Sequence, residues 1–132
     1  MIKTLKYQYL SIIWSVLIVI ACNIPMSGVS GLTSFFEGFD KLAHTGFFFV
    51  LTVLLFHGKI KQQLSYKYRT ITILKILLIT ITIGGGIEIL QNSVFTYRSG
   101  DWWDFFADMT GVGMGIFSFI FLHTFKFNEN NY

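Results

Sequence analysis

The chain has 132 residues, enough for one domain, of which 53% are hydrophobic and only 13% are charged. A soluble domain usually has about 25% charged residues, so a chain this apolar has too little polar surface to cover itself in water. The net charge of +3 comes from segregated clusters, which argues against nucleic-acid binding, and a single cysteine excludes an internal disulfide. We therefore predict one integral membrane domain over residues 1–132.

The first apolar segment covers about residues 9–25, behind a short basic amino terminus. Its length is close to the roughly 20 residues that cross a bilayer as a helix, and Pro25 ends it. Two alternatives stay open: the segment is a secretory signal peptide, or it is a lipoprotein signal, because Val19–Cys22 loosely fits a lipobox. The apolar character of the rest of the chain favours a membrane helix over both.

Three further apolar segments follow, at about residues 40–57, 70–91 and 102–126. With the first segment they predict an all-α fold, an integral membrane four-helix bundle. Eight of the ten basic residues lie at the two ends of the chain, in the loop after the second segment or at Lys75. By the positive-inside rule, both termini are cytoplasmic and the polar loops on the other side face outward. Six of the seven acidic residues lie at or near that outer face.

Polar side chains gather at the predicted outer face, where three helices begin or end. Asp40 and His44 share one face at the start of the second helix, because residues four apart in a helix are neighbours. We predict that these polar residues point into one outward-facing pocket. The predicted binding residues are Asp40, His44, Glu88, Gln91, Arg98, Asp104 and Asp108.

Carboxylates at this density repel one another and need cations, shared protons or hydrogen bonds. Arg98 is the obvious partner for Glu88, and Lys41 and a protonated His44 are further candidates. A divalent metal ion is another, and no other cofactor is indicated. The candidate metal ligands are Asp40, His44, Asp104 and Asp108. The candidate catalytic residues are His44, Glu88 and Asp104, although no arrangement of Ser, Cys or His matches a nucleophilic triad.

Structural roles also account for individual residues of this set. A carboxylate at a helix amino terminus is favoured by the helix dipole, so capping explains Asp101 on its own. Gly111 and Gly115, four residues apart, predict the close approach of another helix, and the run Gly84–Gly86 permits the same. Trp102 and Trp103 are typical of an interfacial aromatic belt, and lining a cleft is their alternative role.

The order of these residues over about residues 9–125 carries a family resemblance. The motifs are Asp40-Lys41-x-x-His44, Glu88-x-x-Gln91, Arg98 and Asp104-x-x-x-Asp108-x-x-Gly111-x-x-x-Gly115. The chain resembles the VanZ-like family of small multi-pass bacterial membrane proteins, whose namesake is associated with low-level resistance to the glycopeptide antibiotic teicoplanin. The resemblance implies the bacterial cytoplasmic membrane and a link to the cell envelope, but no defined reaction. The family often has asparagine where this chain has Asp108, and the extra carboxylate favours a metal or a shared proton.

Three functions from different classes follow from these observations. In the first, the pocket binds the headgroup of a membrane lipid or glycolipid, with Arg98 on phosphate or carboxylate. In the second, a metal-dependent enzyme acts on an envelope lipid or a lipid-linked precursor, with His44 or Glu88 as general base. In the third, the chain is an accessory subunit that packs against a partner membrane protein in a larger complex. The sequence does not decide whether the protein is an enzyme.

Overall fold

A computed structural model describes residues 2–23, 38–64, 70–94 and 101–129, with side chains described between residues 5 and 122. These residues form five helices: α1 (Ile2–Tyr7), α2 (Tyr9–Asn23), α3 (Phe39–Gln63), α4 (Thr70–Ser93) and α5 (Trp102–Glu129). The described ranges contain no strand, so the all-α prediction is confirmed.

Three of the helices are long and apolar enough to cross a bilayer: α3, α4 and residues 102–122 of α5. They indicate a membrane protein. At 15 residues, α2 is apolar but shorter than these three, and positions 24 and 25, where we predicted its end, lie outside the described residues.

The second predicted segment differs most from the structure in length. We expected a helix over 40–57 followed by a basic loop, whereas α3 continues to Gln63 and places Lys59 and Lys61 on the helix. Leu64 ends it in the left-handed conformation, with its backbone N–H donating to the Ile60 carbonyl at 2.8 Å. The sequence suggested a loop because the segment turns polar there, but lysine and glutamine are good helix formers.

The most extensive packing joins α3 and α5, which run parallel. Contacts advance in the same direction along both helices, from Lys41 with Asp104 to Thr45 with Gly111 and Thr52 with Gly115. A Cβ atom added at Gly111 would overlap the Thr45 carbonyl oxygen, and one at Gly115 would lie 2.8 Å from Thr52. The prediction that this glycine pair permits a close helix approach is confirmed.

The α2 helix runs antiparallel to α3. The indole N–H of Trp14 donates to the Phe47 carbonyl at 3.0 Å, and the Gln8 amide donates to the Leu55 carbonyl at 3.2 Å. Because Gln8, just before α2, comes before Trp14 in the chain while Leu55 comes after Phe47, the two helices point in opposite directions. The carboxy-terminal end of α2 therefore lies level with the beginning of α3.

The α4 helix also points against α3 and α5. Near its end, Gly84 has no side chain and leaves room for Phe48 of α3 and Asp108 of α5. About two helical turns further along α4, the Gln91 side chain donates to the Cys22 carbonyl at 2.8 Å. The ends of α2 and α4 thus meet the beginnings of α3 and α5 at one end of the protein.

Apolar side chains fill the space between the helices and also cover the outside. The buried core includes Phe48, Leu51, Phe56 and Val112. On the outside, Leu78 is 65% exposed and similar side chains run along the other long helices. An apolar exterior of this kind suits hydrocarbon, where it needs no polar cover. The start of α5 exposes Trp102 and Trp103, as an interfacial belt requires.

Candidate functional site

A histidine–carboxylate pair lies buried between the first turns of α3 and α5. His44 is 1% exposed and Asp108 is fully buried, and the Nδ1 atom of the ring lies 2.9 Å from Asp108 Oδ1. An ionised carboxylate only accepts hydrogen bonds, so we assign the Nδ1 proton to the histidine. In the neutral ring this leaves a lone pair on Nε2, which makes no hydrogen bond to any described residue. The parallel packing of α3 and α5 places the two residues together.

Asp104 lies one helical turn before Asp108 and connects the pair to a lysine. Its Oδ1 atom is 3.5 Å from the Lys41 ammonium, and its Oδ2 atom is 4.0 Å from His44 Nε2. The side chain of Asp104 is only 3% exposed, whereas that of Lys41 is 44% exposed. The two oxygens of one buried carboxylate therefore face two different neighbours, and Lys41 is a partner of this cluster as the sequence suggested.

Asp101 closes the site on the exposed side and caps α5. Its Oδ1 atom accepts the Trp103 backbone N–H at 3.0 Å, and its Oδ2 atom lies 3.2 Å from the Lys41 ammonium. The Trp103 N–H and Lys41 hold the pKa of the Asp101 carboxyl below its ordinary value. The prediction that Asp101 caps the helix is confirmed.

Three of the four candidate metal ligands come together. Asp40, His44 and Asp104 each offer one ligand atom, and these atoms all lie within 4.8 Å of one another. His44 and Asp104 are buried, and Asp40 is half-buried. The fourth candidate, Asp108, holds the opposite nitrogen of the His44 ring and so lies behind this group.

The two candidate residues of α4 take different positions. Glu88 is half-buried and lies within electrostatic range of His44, Asp104 and Asp108, so it borders the same site. Its Oε1 atom makes no hydrogen bond within the described part of the chain. Gln91 is fully buried and donates to α2 at the Cys22 carbonyl, while its own Oε1 atom has no described partner. Arg98 lies outside the described residues.

Cys22 is a neighbour of the site that the sequence did not indicate. Its thiol lies beside the His44 ring, and the residue is 2% exposed. In the sequence, Cys22 stands near the end of an apolar segment that is interrupted only by Ser11, Ser15 and Asn23. The depth of Cys22 along its helix could have indicated this contact. If α2 and α3 are antiparallel, the last turn of α2 must lie beside the first turns of α3.

Negative charge dominates the described part of the site. Five carboxylates (Asp40, Glu88, Asp101, Asp104 and Asp108) share one ammonium and one imidazole, those of Lys41 and His44. Two of these carboxylates, Asp104 and Asp108, are buried, where an uncompensated charge is expensive. The arrangement is therefore suited to a ligand that brings positive charge.

Comparison with known proteins returned no match among protein-family models, curated proteins or solved structures.

Proposed function

We propose that the chain is a VanZ-like multi-pass protein of the bacterial cytoplasmic membrane, whose outward-facing polar pocket binds the headgroup of an envelope lipid or glycolipid. In this proposal α2 is the fourth helix of the bundle and both termini are cytoplasmic. The antiparallel contact of α2 with α3 supports the fourth span, and the basic residues near the end of α3 support the orientation.

The observation that carries the proposal is the buried cluster of His44, Asp104 and Asp108 at the beginnings of two membrane helices. A charged side chain at the centre of a membrane helix costs about 2.5–3.5 kcal/mol on insertion scales, and such residues usually mark a functional site. Here they meet a half-buried Glu88 and an exposed Lys41, so the cluster opens toward one end of the protein. A headgroup entering from that end meets carboxylates for its hydroxyl or amine groups, and Arg98 is our proposed contact for its phosphate.

The test is the lipid content of the detergent-purified protein, measured by mass spectrometry. Wild-type protein should retain a defined lipid class that Asp104→Asn and His44→Ala lose by at least tenfold. Thr110→Ala is the matched control, because Thr110 is exposed on the same helix and its hydroxyl donates to the Phe106 carbonyl. Equal lipid profiles in all four proteins would reject headgroup binding and favour an accessory subunit.

A second candidate function is a metal-dependent enzyme acting on an envelope lipid or a lipid-linked precursor. The specific observation is the His44–Asp108 pair, which orients the Nε2 lone pair toward the carboxylates of the site. The same arrangement positions a general base in many hydrolases. Incubation of the protein with labelled phospholipids and lipid-linked precursors, with chromatography of the products, tests it. Product that forms with wild type and disappears in His44→Ala would establish an enzyme.

The link to glycopeptide tolerance follows from the resemblance alone. If the protein contributes to this tolerance, deletion of its gene lowers the teicoplanin concentration that inhibits growth. A copy carrying Asp104→Asn should not restore the wild-type inhibitory concentration. An unchanged inhibitory concentration would separate this protein from the resistance phenotype.

A further inference from the structure

We infer that Asp40, His44 and Asp104 bind one divalent transition-metal ion, which supplies the positive charge that this site lacks. The inference deepens the proposed function and rests on it for the lipid ligand, although the metal itself can be measured without any lipid. It stands on the spacing of the three ligand atoms, on the partners of His44 and on the burial of the cluster.

The His44 ring is oriented in the way that metal-binding histidines are. Metal-binding histidines almost always donate their second ring N–H to a carboxylate or carbonyl, which fixes the tautomer and directs the other nitrogen to the metal. His44 has this arrangement, with Nδ1 held by Asp108 and Nε2 directed toward Asp104. The Nε2 atom is buried and makes no hydrogen bond to any residue that the structure describes.

The carboxylate oxygens of Asp104 and Asp40 are placed so that one oxygen of each can bind a cation beside the His44 ring. Asp104 directs Oδ1 to Lys41 and Oδ2 to the His44 ring. Asp40 adds an oxygen within 4.8 Å of the other two ligand atoms. Ligands bound to a tetrahedral ion at about 2.1 Å are about 3.4 Å apart, so an ion would draw these groups together by roughly 1 Å.

The ligand set also indicates the class of ion and its state. Carboxylate oxygens alone suit Mg²⁺ or Ca²⁺, whereas an imidazole ligand favours Zn²⁺ or another transition ion. Three protein ligands leave one position of a tetrahedral site open, as in catalytic zinc sites. A phosphate oxygen of a headgroup is the natural fourth ligand, because it is anionic and the metal ion attracts it. Without the ion, the carboxylates of the site would repel it.

An imidazolium ion is the competing account of the same geometry. A doubly protonated His44 would lie between Asp104 and Asp108 and would need no metal. The two accounts differ in metal content, because the first requires one bound ion per chain and the second requires none. Thr110→Ala is the matched control, because Thr110 is exposed on α5 and is not one of the three ligands.

The experiment uses the full chain, purified in detergent, stripped with a chelator and titrated with Zn²⁺. Metal is counted by mass spectrometry after removal of free ion. We expect one Zn²⁺ per chain in wild type and in Thr110→Ala, and affinity at least tenfold lower in His44→Ala and Asp104→Asn. Asp108→Asn should bind about 10–100-fold more weakly, the usual loss when the group that orients a metal-binding histidine is changed. Zn²⁺ at well below one per chain in wild type, or equal affinity in His44→Ala, would overturn the inference.

A second measurement guards against variants that fold poorly. Wild-type protein loaded with Co²⁺ should show the visible bands of a low-coordinate cobalt site, and Zn²⁺ should displace them. Absence of such bands counts against the site. Phospholipid is quantified in the same samples. Bound lipid without bound metal would reject the metal site and keep headgroup binding. Bound metal without bound lipid would keep the metal site and reject headgroup binding.

Discussion

At the scale of single residues, the pairing of His44 with Asp108 determines how the site responds to substitution. Asp108 is fully buried and its described partner is His44, so His44→Ala leaves a carboxylate uncompensated. Removing one member of a buried ion pair costs about 3–5 kcal/mol, whereas replacing both members with apolar groups costs much less. We expect His44→Ala and Asp108→Ala each to destabilise the protein strongly and the double variant to be more stable than their sum.

The measurement is a double-mutant cycle on unfolding in mixed detergent, followed by circular dichroism. The coupling free energy should be about 1–3 kcal/mol, typical of residues in direct contact. Strictly additive losses would show that the two side chains do not depend on each other.

Asp101 gives a prediction about pH. The Trp103 N–H and Lys41 lower its pKa from the ordinary 3.8, so the ionised carboxylate binds these groups better in the folded state. Its contribution to stability is therefore complete above pH 3.8 and is lost as the pH falls through the lower pKa of the folded protein. The stability difference between wild type and Asp101→Ala should shrink over that acidic range. Asp101→Asn is the control, because it keeps a capping oxygen but cannot ionise. If the stability difference between wild type and Asp101→Ala persisted at low pH, capping without ionisation would account for the role of Asp101.

At the scale of helices, the α3–α5 interface depends on the absence of side chains at two glycines. Gly111→Ala places a methyl group against the Thr45 carbonyl oxygen and 2.9 Å from the Phe49 nitrogen, neither of which can move without shifting α3. Overpacking of this kind costs about 1–3 kcal/mol. We expect a lower thermal midpoint and a weaker lipid signal, because the shift separates His44 from Asp108.

Gly113→Ala is the matched control for this prediction. It lies on the same helix two residues away, with nothing within 4 Å of an added Cβ atom. It should leave stability unchanged or raise it slightly, since alanine favours helices over glycine. Equal behaviour of the two variants would mean that α3 and α5 do not pack through Gly111.

The helices themselves were largely predictable, since long apolar runs leave few other structures in a bilayer. The spacing of Gly111 and Gly115 also indicated the close helix contact. Two features could not be read from the sequence. Whether α3 packs against α5, and at which register, depends on the shapes of both helix surfaces. For the same reason the sequence paired Asp40 with His44 along one helix and did not foresee Cys22 beside the His44 ring.

At the scale of the whole molecule, the proposed orientation can be tested with two exposed positions at opposite ends. Leu64 follows α3 and is 92% exposed, and Val94 follows α4 and is 61% exposed. In a Cys22→Ala background, we expect an impermeant maleimide to label Val94→Cys in intact cells and Leu64→Cys only after lysis. Each position controls for the reactivity of the other. The reverse pattern would invert the topology and place the polar site in the cytoplasm.

The parallel contact of α3 and α5 has a consequence for how the protein is made. His44 and its partner Asp108 are 64 residues apart, and all of α4 lies between them. During synthesis, Asp104 and Asp108 therefore leave the ribosome only after all of α3 and α4, so His44 spends that interval without the carboxylates that lie beside it in the folded protein. A chain cut short before α5 would lack both carboxylates, so it would contain the histidine of the cluster without the acids.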